Sequence, residues 1–189
     1  MIKTISDQYK EVLIQTHIDR PAWGGGNMRD PNDPQHRKNK NVEAYAKTLV
    51  ATWESVGRGT VLDYGCGKGW LASYFPVPIQ EYDPGLPGKD ILPEPADLVI
   101  CTDVMEHVEL DYLEAVLTDL QRVTAKRAIF LIHCAHAKTN LSDGRNTHLI
   151  VQDSDWWLRK LLDYFHIETV GAQNKRLLAL VKKLHDGTY

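Results

Sequence analysis

Val61-Leu62-Asp63-Tyr64-Gly65-Cys66-Gly67-Lys68-Gly69 is the stretch that decides the fold. Residues 60–64 form a short β-branched and apolar run, which predicts a buried strand. Three glycines at alternate positions follow, and a short helix is expected over residues 70–75. Strand, glycine loop and helix in that order mark a site where a bulky ligand approaches the backbone at the carboxyl end of the first strand. Side chains at Gly65, Gly67 and Gly69 would block that approach.

Outward from the loop, apolar periodicity predicts the remaining elements. Residues 41–56 read as a helix, with Val42, Tyr45, Ala46, Leu49 and Trp53 at helical spacing. Strands are expected at 79–82, 97–102 and 127–134, with an amphipathic helix over 111–124 carrying Leu113, Val116, Leu117 and Leu120 on one face. Asp153 or Ser154 caps a further helix through Leu162. Two closing strands, 165–170 and 176–181, are joined by Gly171-Ala172-Gln173-Asn174-Lys175, a hairpin-like turn. Strands alternate with helices until that final pair. The expected fold is therefore α/β, a mostly parallel sheet with an antiparallel C-terminal hairpin.

The N-terminal 40 residues are irregular apart from a short helix within 6–18. Trp23 beside Gly24-Gly25-Gly26 suits a lid over a ligand, and a loose arm is the competing reading. The whole chain of 189 residues is read as one domain, with an arm or lid over 1–40 and a catalytic core over 41–189.

Composition narrows the function. With 43% hydrophobic and 25% charged residues and a net charge of -3, the chain reads as globular, and no stable nucleic-acid binding is expected. The basic stretch His36-Arg37-Lys38-Asn39-Lys40 reads as a solvated loop or a phosphate contact. Three widely spaced cysteines and no apolar span predict a cytoplasmic protein without disulfides or membrane segments.

The acid before the glycines defines the cargo more closely. A dinucleotide loop reads Gly-x-Gly-x-x-Gly and faces a pyrophosphate. Here Asp63 precedes Gly-x-Gly-x-Gly, an arrangement suited to a ligand with an ammonium group and no phosphate, such as S-adenosylmethionine. Asp83 ends the second strand, where a carboxylate accepts both ribose hydroxyls, and Glu81 is the alternative.

With these residues in place, Val61 to Gly69 resembles motif I of class I S-adenosylmethionine-dependent methyltransferases, a Rossmann-like family. The chain is similar in particular to its small type 11/12-like enzymes. Residues 96–108, Ala-Asp-Leu-Val-Ile-Cys-Thr-Asp-Val-Met-Glu-His-Val, resemble the fourth-strand segment of that family. The resemblance implies that Asp63, Gly65, Cys66, Gly67, Gly69 and Asp83 bind the cofactor, that Asp90 and Ile91 contact adenine, and that Asp103 and Val104 line the pocket. One departure is visible. Only residues 84–96 fill the interval that normally holds a helix and a third strand, so the sheet is expected to be trimmed there.

The methyl acceptor is less sharply defined. No Asn-Pro-Pro-Tyr or Asp-Pro-Pro-Tyr segment follows the fourth strand, and no cysteine follows a proline, which disfavours methylation of nucleic-acid bases. A small or exposed acceptor is expected, a metabolite, nucleotide or protein side chain, with O- or N-methylation favoured over C-methylation. Other uses of the same donor, its cleavage, or a non-catalytic binding role are the alternatives. His148 and His107 are the candidate catalytic bases, with His133 a third, against a structural role for each. Arg145 is a candidate anchor for an anionic substrate group. Asp103-x-x-Glu106-His107 is similar to the Glu-x-x-Glu-His that, with a later histidine, holds a divalent metal in some O-methyltransferases of this class. His148 or His133 would be that later ligand. Glu-His also serves there as a cap and packing element. Trp156-Trp157 reads as core packing, with an acceptor stack as the alternative.

Overall fold

A computed structural model of the chain describes residues 2–21, 23–25 and 40–184, excluding the side chains of Lys40 and Asn41. The expected basic stretch from His36 and the Gly26 end of the glycine run lie outside the described residues. Six strands form one sheet: β1 Val61–Tyr64, β2 Gln80–Tyr82, β3 Ala96–Thr102, β4 Thr124–His133, β5 Phe165–Gln173 and β6 Arg176–Lys183. Their spatial order is β2-β1-β3-β4-β6-β5. The first four run parallel, and β6 lies antiparallel between β4 and β5. The order reverses at β1, so the carboxyl ends of β1 and β3 open a crevice where α/β sheets bind ligands. Among the described residues the sheet ends at β2, with no further strand beyond it, as the short interval after Asp83 predicts.

Helices cover both faces. On one, α3 (Leu113–Val123) and α4 (Ser154–Leu162) bury Leu117, Leu120, Trp157 and Leu161 against β3 and β4. Trp157 is 0% exposed, so it belongs to the core. Asp153 caps α4 by accepting from the Trp156 amide. On the other face, α2 (Lys40–Ser55) buries Ala46, Leu49 and Trp53 against Leu98 and Ile100. The N-terminal helix α1 (Asp7–Asp19) lies instead across the carboxyl edge. There Ser6 binds Glu109, and Tyr9 Oη donates to the His107 carbonyl.

Several boundaries differ from expectation. Residues 71–74 form only a single 3₁₀ turn, because Pro76 and Pro78 leave no room for a helix. The final hairpin turns on Asn174-Lys175 alone, both with positive φ, and β5 absorbs Gly171 to Gln173. β4 starts at Thr124, directly at the end of α3. No helix among the described residues is long and apolar enough to cross a membrane.

Candidate active site

Gly65 and Gly67 hold positive φ angles of 77° and 52°, the left-handed conformation that a strand-to-loop reversal requires here. A Cβ on Gly65 would stand 2.3 Å from Val104 Cγ2, and one on Gly67 would stand 2.6 Å from the Gly24 carbonyl oxygen. The glycines therefore admit protein as well as ligand. Val104 packs against the loop from β3, and the Trp23–Gly25 turn packs against it from the N-terminal segment. The Lys68 amide donates to Gly24 O at 2.8 Å. Lys68 Nζ reaches Pro21 O at 2.5 Å and His17 O at 3.3 Å, placing a cation on the carboxyl end of α1.

Asp83 lies at the loop's other side. Its Oδ2 accepts from the Gly67 amide and its Oδ1 from the Gly85 amide, both at 2.9 Å. Burial raises its pKa, and those two amides oppose the rise. Asp63 is only 5% exposed and sits opposite Glu81 in the β1–β2 register. Burial first, and then the Glu81 charge, push its carboxyl up to about 8. Glu81 is itself paired with Lys89 at 2.7 Å.

These pKa values predict how the ligand-free protein responds to pH. The buried histidines are displaced downward, His107 to about 4, so they stop titrating above the ordinary histidine value of 6.5. Asp63 and Glu106, both near 8, are displaced upward. A carboxyl with a raised folded pKa contributes stability that is full below its unfolded pKa and is lost as pH rises through the folded value. Between about pH 6.5 and 8 stability should therefore fall, by at most about 1.4 kcal/mol per pH unit for each group. Asp63→Asn should remove one share of that slope in urea unfolding. A flat or rising stability across this window would contradict the burial of these acids.

The second half of the site stands at the ends of β3 and β4. Asp103 adopts φ 56°, unusual for a non-glycine residue, and directs its carboxylate to His133 Nε2 at 2.9 Å. Glu106 is 0% exposed; its Oε1 accepts from the His133 amide, and its Oε2 has no partner among the described residues. Burial, and then the Asp103 charge, raise its pKa to about 8. His107 Nδ1 lies 2.6 Å from the Thr147 carbonyl, and His148 Nδ1 lies 2.5 Å from the Ala135 carbonyl. A carbonyl only accepts, so both Nδ1 atoms carry the proton and each Nε2 keeps its lone pair. Burial keeps both rings neutral at pH 7. Glu106, His107 and His148 bring one ligating atom each within 4.8 Å of one another, as do Asp103, Glu106 and His133. The two sets share Glu106.

One cavity of about 580 Å³ joins these halves. Its walls include Gly65, Cys66, Gly67, Asp83, Asp103, Val104, His107 and His148, so most of the candidate residues are brought together. Asp63 and Gly69 stand outside the wall, as do Asp90 and Ile91. The proline-rich stretch folds into tight turns that return the Lys89 carbonyl to the Asp83 amide. Asp90 is thereby carried to a surface ion pair with Lys10, and Ile91 is 79% exposed. Arg145 is bound to Asp143 and stacks over Tyr9. Sequence reasoning missed Tyr9, His17 and Arg176, which also line the cavity. Trp23 stands in the wall between His17, at 4.6 Å between ring centroids, and His107, at 6.1 Å.

The sequence pattern of a family described as a methyltransferase domain matches residues 35–176. Among solved structures, the chain is similar to the 1,6-didemethyltoxoflavin-N1-methyltransferase of Burkholderia thailandensis, with TM-score 0.62 at 15% identity over 94% of this chain and 90% of that one. It is similar also to the magnesium protoporphyrin IX methyltransferase of Synechocystis PCC 6803, with TM-score 0.61 at 18% identity over 94% and 98% of the two chains. A third similar structure is the N-methyltransferase NodS of Bradyrhizobium japonicum WM9, with TM-score 0.60 at 14% identity over 95% and 100%. No curated protein sequence matches. The chain belongs to the methyltransferase-domain family and is a class I S-adenosylmethionine-dependent methyltransferase.

Proposed function

We propose that this enzyme methylates an oxygen or nitrogen of a small or exposed acceptor, with His148 as the general base. The observation that carries the reading is the continuous cavity from the glycine loop and Asp83 to the neutral rings of His107 and His148. S-adenosylmethionine supplies a sulfonium-bound methyl group to in-line displacement, where alignment and exclusion of water contribute much of the rate. Asp83 receives the ribose hydroxyls, with Gly65, Cys66 and Gly67 as the floor, and Asp63, buried behind the loop, reaches the ammonium end only through water. His148 Nε2 takes the proton of an acceptor hydroxyl as its oxygen bonds the methyl carbon. α1 and Trp23 act as the cover. Incubation with labelled donor and candidate acceptors tests the transfer, and a thermal shift with S-adenosylhomocysteine tests the cofactor site. At a hundred times its Kd that ligand should stabilise by about 2.7 kcal/mol. No shift would sink the reading.

One observation favours a second reading, in which a divalent ion takes the place of the histidine base. Glu106 Oε2 is buried without a partner among the described residues, and the Nδ1 hydrogen bonds of His107 and His148 leave both Nε2 lone pairs open. Backbone carbonyls orient metal-binding histidines in this way. Two histidines and a carboxylate fit a zinc- or iron-type ion, which would lower the pKa of an acceptor oxygen. In that case Glu106, His107 and His148 hold the ion, and Asp103 stays with His133. Cobalt added to chelator-treated protein should give visible absorption that Glu106→Gln abolishes, and chelator should stop transfer. Full activity in chelator with no cobalt absorption would exclude the ion.

A further inference from the structure

The anchor expected at Arg145 is already occupied, since Asp143 takes its guanidinium at 2.6 Å and 2.7 Å. Another cation holds the corresponding place in the cavity. Arg176, the first residue of β6, is brought beside His133 by the β4–β6 register. It is the one Lys or Arg side chain among the described residues lining the cavity. Its Nε donates to His133 Nδ1 at 3.4 Å, and no carboxylate among the described residues pairs with it. The acids on the wall are engaged elsewhere. Asp103 binds His133, Glu109 binds Ser6, and Asp83 binds the Gly67 and Gly85 amides. Arg176 is thus the one guanidinium on the wall, among the described residues, that no carboxylate pairs with. From it, the His133 and His148 rings lead toward the proposed transfer point at 5.5 Å between centroids. His107 stands edge-on to His148, and Tyr9 and Trp23 add flat side chains to the same cavity wall.

Resting on the acceptor side proposed above, we propose that the acceptor is a planar molecule carrying an anionic handle, a carboxylate or a phosphate. The handle lies about one ring's length from the methylated atom, and Arg176 is the residue that selects it. A guanidinium presents paired donors that match either anion, and neutral analogues leave it unpaired. Arg176 is exposed at the cavity wall, and its side-chain bond to His133 uses Nε alone, so a bound anion has the terminal guanidinium nitrogens to pair with.

The test uses the full chain saturated with S-adenosylhomocysteine, with calorimetric titration of three probes: 4-hydroxybenzoate, phenyl phosphate and the neutral 4-hydroxybenzyl alcohol. At least one anionic probe should bind about tenfold or more tightly than the alcohol, the factor that one charge-assisted contact supplies. Arg176→Gln should erase that preference, Arg176→Lys should restore part of it, and both variants should keep the wild-type affinity for S-adenosylhomocysteine. The better of the two anions identifies the handle. Equal binding of anionic and neutral probes, no binding of either anion, or an unchanged preference in Arg176→Gln would each overturn the proposal. Failure of the wild type to bind S-adenosylhomocysteine would overturn the donor reading instead, and the anion preference is then read on the ligand-free protein.

Discussion

His148→Ala should bind S-adenosylhomocysteine as the wild type does and transfer the methyl group about 100- to 10,000-fold more slowly to a hydroxyl acceptor. The range is that of a positioned general base. The ring is pre-oriented for this work, because Ala135 O fixes Nδ1–H and Asn146 Oδ1 holds the backbone amide at 3.0 Å. Burial lowers its pKa, so the neutral form is the form present at pH 7. Cofactor affinity is spared because the Ala135 carbonyl beyond β4 holds the His148 ring, whereas the proposed donor site is built from β1, β2 and the glycine loop. A structural role predicts a different pattern, with lower stability and a rate deficit that does not change with pH. A base predicts a deficit that shrinks as pH approaches the acceptor's own pKa and the hydroxyl loses its proton to solvent. Unchanged transfer would make His148 structural. Lost binding of S-adenosylhomocysteine would place it on the donor side.

The sequence exposed the parts of this site that depend on local rules. β1 and β3 are short apolar runs buried on both faces, and the alternate glycines follow β1 directly, so strand and loop announce themselves together. The closing hairpin was visible instead from two β-prone runs flanking a glycine-containing turn segment, although its turn lies at Asn174-Lys175. What was not legible depends on contacts between residues far apart in the chain. Ser6 meets Glu109 across 103 positions, and this contact places α1 over the carboxyl edge of the sheet. No periodicity within α1 encodes that docking, because only Tyr9, Thr16 and His17 of its residues are buried. The glycines were read as clearance for ligand alone, whereas Val104 and Gly24 also occupy that space. Asp90 and Ile91 were placed at the adenine by a resemblance that assumes a longer connection, and the turns after Asp83 carry them to the surface. In the Arg145 case a signal was available, since Asp143 stands two residues away and closes a local ion pair.

Asp83→Ala is the substitution that should most weaken the donor. The carboxylate has two duties on this geometry. In the ligand-free protein it ties the Gly67 amide to the Gly85 amide, holding the glycine loop against the turn after β2. In the role proposed for it, the lone pairs not used by those amides accept the ribose hydroxyls of the bound donor. Hydrogen bonds to a charged group contribute about 1.5–3 kcal/mol, so affinity for S-adenosylhomocysteine should fall about 10- to 150-fold. The loop-holding duty alone would also lower affinity, by freeing Gly67 to move. A double-mutant cycle with the ligand separates the two. Wild type should bind S-adenosylhomocysteine more tightly than its 2′-deoxy analogue, and Asp83→Ala should bind the two alike. If the variant still discriminates between them, the ribose is read elsewhere and Asp83 is only the clamp of the loop. Glu81, the other acid on this strand, is held by Lys89 and is a poor substitute. Wild-type affinity in Asp83→Ala would remove both duties at once.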